Sequence, residues 1–144
     1  MLGYGRVGTA TAGLLRAMGA SVTVAARKRS DLARAGIAGM RQLLIDSERP
    51  MCGMISLTRG YDLIINTIPV RLLSGDVLHH ISPDTVIIDL ASVPGGVDFD
   101  TAEKLGLNVT WALSVPGKYA PVTAGVIIGE TVLSYLESEG VIGK

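Results

Sequence analysis

Gly3-Tyr4-Gly5-Arg6-Val7-Gly8 spells G-x-G-x-x-G, with only Met1 and Leu2 ahead of it. This spacing constrains the chain more than any other feature. In a dinucleotide-binding βαβ unit the motif joins the first strand to the first helix. Its first glycine makes the tight turn, its second lets the backbone approach a pyrophosphate, and its third lets helix and strand pack closely. The free N–H groups of the helix N-terminus, with the helix dipole, then hold the phosphate charge. A first strand normally supplies about five residues before such a turn. Met1 and Leu2 alone are expected to be its truncated end, and residues 1–144 to be one dinucleotide-binding domain cut from a longer protein.

Composition agrees with a sheet covered on both faces. Apolar residues make up 48% of the chain, yet it holds one Phe and one Trp, an aliphatic balance suited to buried parallel strands. Thirteen basic residues offset thirteen acidic ones, so net charge predicts neither a nucleic-acid partner nor an anionic membrane surface. The single Cys52 excludes an internal disulfide and a multi-cysteine metal site, and fits a reducing cytoplasm. It has no base nearby in sequence and reads as inert. Asn66, Pro69, Asp89 and Pro116 interrupt the apolar stretches well short of a membrane span.

Strands and helices then alternate. Val7, Ala10, Leu14, Leu15 and Met18 recur at helical spacing up to Gly19, with Gly13 expected to allow close packing on the sheet. Ser21 to Ala26 is the expected second strand, and Ser30 the cap of a helix ended by Gly36. Met40 to Ile45 suggests a third strand, whereas Asp46 to Gly60 has no clean period. Strands are expected over Tyr61 to Thr67, Thr85 to Ala91 and Asn108 to Ala112. Helices are expected over Leu72 to Ile81, Asp98 to Leu105 and Pro121 to Glu139, with no internal domain boundary. The pattern predicts an α/β, Rossmann-type doubly wound parallel sheet of order 3-2-1-4-5-6.

The end of the second strand discriminates between cofactors. An NAD site places a carboxylate there to bind the adenosine ribose. This chain has Ala25-Ala26 and then Arg27-Lys28-Arg29-Ser30. A guanidinium can bind a 2′-phosphate through a bidentate fork, and cations at a helix start oppose the dipole unless an anion joins them. NADP is therefore expected over NAD. Asn66-Thr67-Ile68-Pro69 ends the fourth strand, either bordering the cofactor or simply turning the chain. Asp89, followed by Leu90-Ala91-Ser92 and Pro94-Gly95-Gly96, is either a loop anchor or a site group. Ser114 to Pro121 reads as a shaped loop whose Lys118 either meets a substrate carboxylate or sits at the surface. His79-His80 reads as a surface pair. Lys118, Asp89 and Ser92 are weak catalytic candidates, and no metal-ligand spacing appears.

LGYGRVG, VTVAARKRSDLARA, NTIP, IIDLASVPGG and PGKYAPVTAG together resemble the C-terminal half of the dipicolinate synthase A-subunit family. The resemblance implies an N-terminal domain forming the other cleft wall, without which turnover is not expected. It implies partnership with a flavoprotein B subunit. It further implies conversion of dihydrodipicolinate to dipicolinate, at the end of the diaminopimelate branch of sporulating bacteria. NADP is implied on Gly3 to Gly8 with Arg27-Lys28, and a site wall from Asn66 to Pro69; Ala26, Ser30, Asp89, Ala91 and Ser92 complete the candidate cofactor-binding set. A more distant likeness is to 2-hydroxyacid and shikimate dehydrogenase cofactor domains, and a non-catalytic NADP-binding subunit is the alternative of another class. Homo-oligomerisation stays open.

Overall fold

In the computed structural model, residues 1–45 and 60–139 are described; most of Asp46 to Gly60, with Cys52, lies outside them. Among the described residues, short β-branched and aliphatic runs form five parallel strands. They are β1 (Thr23–Ala26), β2 (Arg41–Leu44), β3 (Leu63–Asn66), β4 (Val86–Asp89) and β5 (Asn108–Trp111). β1 pairs with β2, Thr23 opposite Arg41, and β3-β4-β5 form a three-stranded sheet with Asn66 opposite Asp89 and Asp89 opposite Trp111. Leu2 makes parallel bridges to Ala25 on one side and Asn66 on the other. Its N–H donates to the Ile65 carbonyl at 2.8 Å and its carbonyl accepts from Thr67 N–H at 3.0 Å.

Side chains alternate across each strand, and two apolar clusters use the two faces. Val24 and Ala26 pack with Tyr4, with Ala12 of helix α1 (Arg6–Ala17), and with Leu32 and Ala35 of α2 (Arg29–Ile37). Ala25, Ile64 and Ile87 pack instead with Leu73, with Val77 and Leu78 of α3 (Gly75–Leu78), and with Ala102 of α4 (Phe99–Lys104). Helices thus cover both faces, as the doubly wound pattern expects.

Several local expectations need correction. α1 packs through Gly8 and Ala12, not Gly13; Gly13 has open space around it, and Val7, Leu14 and Met18 are exposed. Ser30 does not cap α2. The N–H groups of Asp31 and Leu32 both reach the Lys28 carbonyl, at 3.1 and 3.2 Å, so the helix begins earlier with Lys28 as its cap. Gly36 stays inside α2, and the stop is Gly39 at φ +75°, the conformation that a glycine tolerates best. The expected Leu72 start is lost because Leu73 bridges Val97 in extended form.

The sequence shows no internal boundary, but the chain divides into two compact units, Met1–Leu113 and Ser114–Lys144. In the second unit the expected loop is helical: α5 (Val115–Tyr119) precedes α6 (Pro121–Ser138). Pro116 and Pro121 occupy first-turn positions, where a missing N–H costs nothing. Among the described residues, no helix is long and apolar enough to cross a membrane.

Candidate functional site

The bridges of Leu2 align the carboxyl ends of β1 and β3, so the turns leaving them share one edge of the first unit. In open parallel α/β sheets this edge carries the ligand crevice. A cleft of about 570 Å³ lies there, lined by Gly3 to Gly8, by Ala26, Arg27, Lys28 and Asp31, and by Thr67, Ile68 and Pro69. Three segments named from sequence therefore meet in space.

Each glycine of the loop has a different reason. Gly3 turns at φ +91°, and a Cβ there would stand 2.5 Å from Thr67 Oγ1. A Cβ on Gly8 would collide with the Gly3 carbonyl oxygen, so α1 reaches the turn only because Gly8 is bare. Gly5 is unlike both. Its φ of −75° is ordinary for any residue, and beyond its own chain neighbours no atom lies within 4 Å of where its Cβ would be. Nothing in the described protein demands a glycine there.

Gly5 caps α1 without any side-chain hydrogen bond, and the first N–H groups of a helix have no intrahelical partner. The cleft floor therefore offers donors and the positive end of a 12-residue helix. Across from it stand the exposed Arg27 and Lys28. The third segment is tied back by Thr67 Oγ1, which donates to the Leu2 carbonyl at 2.9 Å.

The remaining candidates sit elsewhere. Asn66 and Asp89 are fully buried and engage each other: Asn66 Nδ2 donates to Asp89 Oδ1 at 2.8 Å and to the Ile68 carbonyl at 3.0 Å. Asp89 also accepts from Ala91 N–H at 3.0 Å and Gly96 N–H at 2.7 Å. Of the two roles open to Asp89, this geometry is that of a loop anchor. Ala91 is buried, with its carbonyl accepting from Trp111 Nε1 at 3.0 Å. Ser92 is exposed on the turn it closes with Gly95, and Ser30 is exposed in the first turn of α2. Lys118 belongs to α5 of the second unit, its Nζ 5.4 Å from the Tyr119 ring centroid. His79 and His80 are exposed.

Asp31 and Arg34 also belong here, although neither stands out as a site residue in the sequence. Asp31 lines the cleft and pairs with Arg34 at 3.2 Å. The available signal is an Asp and an Arg three residues apart at a helix start, a spacing that puts side chains on one face.

No protein-family model matches the chain. The chain is 41% identical to the A-subunit of dipicolinate synthase from Bacillus subtilis (strain 168) over 139 residues, which is 96% of this chain and 44% of that protein. The crystal structure of that protein superposes with a TM-score of 0.85.

The chain is similar to the dipicolinate synthase A-subunit.

The crystal structure of the corresponding Bacillus halodurans protein matches equally well, with a TM-score of 0.85 at 39% identity, covering 94% of this chain and 44% of that one. A transhydrogenase from Sinorhizobium meliloti shares the fold at a TM-score of 0.78 and 18% identity, covering 95% of this chain and 44% of its own. The fold is Rossmann-like, and the chain spans less than half the length of the dipicolinate synthase proteins it resembles.

Proposed function

We propose that the cleft binds a nicotinamide dinucleotide, NADP ahead of NAD, as the cofactor domain of an oxidoreductase of the dipicolinate synthase kind. The observation that carries this reading is Gly5: a glycine with ordinary backbone dihedrals and empty space at its Cβ. A pyrophosphate lying over the loop gives that empty space its use. Arg27 and Lys28 on the facing wall suit a 2′-phosphate, and Ala26 before them brings no carboxylate to repel it. When bound, the cofactor supplies hydride chemistry; the chain's residues bind and orient it. The likeness to the dipicolinate synthase A-subunit supports dihydrodipicolinate as substrate, dipicolinate as product and partnership with a flavoprotein B subunit.

One observation favours a second reading, a nucleotide-binding subunit without its own catalysis. Among the described residues of the first unit, the cleft brings together cations, backbone donors and one carboxylate, Asp31, that is paired with Arg34, but neither Asp89 nor Ser92 lines it.

Calorimetric titration with NADPH tests the carrying observation. Gly5→Val fits the observed dihedrals, so the variant is expected to fold and melt like the parent while losing at least about tenfold in affinity, roughly the loss of one good contact. Undiminished NADPH binding by a folded Gly5→Val protein rejects a cofactor lying over this loop.

A further inference from the structure

We infer that Arg34 is a positioning residue for the dinucleotide: it fixes the Tyr4–Gly5 peptide of the glycine-rich loop without touching the ligand. The inference rests on the nucleotide-binding reading of the cleft. Arg34 lies on α2, outside the G-x-G-x-x-G sequence, and its side chain is 59% exposed. Surface exposure alone would leave so long a side chain free to move. Three contacts hold it instead. Nη2 donates to the Tyr4 carbonyl at 2.9 Å and to Asp31 Oδ1 at 3.2 Å, and the guanidinium carbon stands 5.4 Å from the Tyr4 ring centroid. A planar guanidinium can stack and donate at once, which an ammonium cannot.

The contact matters because of which atom it holds. The Tyr4 carbonyl accepts a second bond, from Thr9 Oγ1 at 3.2 Å, so the negative end of this peptide is turned into protein donors. In a planar trans peptide the following N–H, that of Gly5, points the opposite way. A phosphate above the loop then meets an N–H and no competing carbonyl. A flip of this peptide turns ψ of Tyr4 and φ of Gly5, and the glycine on that side makes the rotation easier than a side-chain-bearing residue would. Tyr4 itself is anchored, only 4% exposed among Ala12, Val24, Ala26 and Leu32. Asp31 lines the cleft beside Arg27 and Lys28 and pairs with Arg34. One chain of contacts thus joins the basic wall to the loop.

Two ligands separate positioning from direct contact. NADPH needs the loop for its pyrophosphate; adenosine 2′-monophosphate has none and reports only on the 2′-phosphate wall. In the full chain, Arg34→Ala is expected to weaken NADPH about tenfold, from the loss of a charged hydrogen bond, and to leave adenosine 2′-monophosphate within about twofold. Arg34→Lys is expected to fall between, and Asp31→Asn to shift NADPH in the same direction by less. Arg27→Ala is expected to weaken both ligands. Equal loss of both ligands in Arg34→Ala overturns the inference by making Arg34 a direct phosphate contact, and loss of neither overturns it as well. An unsubstituted chain that binds no NADPH overturns the nucleotide reading itself, a separate failure visible before any variant is made. Thermal melting of each variant against the parent distinguishes a global loss of fold, which removes both ligands together.

Discussion

Arg27 and Lys28 stand exposed beside the start of α2, where the partial positive charge of the helix end repels them. Asp31 is the acidic residue of that first turn, and it is engaged by Arg34. An arrangement of this kind is stabilised when an anion joins it. Replacing Arg27 and Lys28 together by Ala is therefore expected to narrow the preference for NADPH over NADH by on the order of 1–3 kcal/mol, read by paired calorimetric titrations. NADH affinity should change little, because its adenosine ribose carries no phosphate for these side chains. A double variant that keeps the full preference assigns the discrimination to other residues.

At the scale of elements, the buried knot of Asn66 and Asp89 holds the ends of β3 and β4 and the loop up to Gly96 in one arrangement. Gly96 allows it, since any Cβ there would collide with Asn66 Nδ2. Asp89→Ala strands the Ala91 and Gly96 N–H groups away from water, at roughly 1–3 kcal/mol each, while Asn66 Nδ2 keeps the Ile68 carbonyl, so a loss on the order of 2–6 kcal/mol is expected in chemical denaturation. Asp89→Asn should lose less, because its remaining carbonyl still accepts from one or two of them; equal midpoints for parent and Ala variant would contradict the anchor role. The partners are visible in the sequence but the partnership is not: Asp89 in a β-branched run had to be bonded or catalytic, and only the register of Asn66 opposite Asp89 decides. The glycine loop, the basic turn and NTIP are legible because each is a local signal at a strand end. Arg34 is not, because its meaning depends on a carbonyl 30 residues away. The helical segment from Val115 is also hidden, since Pro and Gly in a row favour turns until helix start positions absorb them.

Across the whole molecule, the sheets meet at Leu2, which bridges Ala25 of β1 on one side and Asn66 of β3 on the other. At the same edge of the molecule where Leu2 joins the sheets, three separate turns form one cleft, and a dinucleotide there must touch all three. The most direct test is a ¹H–¹⁵N titration of the labelled chain with NADPH. The amides of Gly5, Arg6 and Val7 are expected to shift most, together with those of Arg27, Lys28, Thr67 and Ile68, while β5 and α4 stay in place. Saturable shifts centred on residues away from the glycine loop, or no shifts at millimolar NADPH, would contradict a cofactor held by these turns.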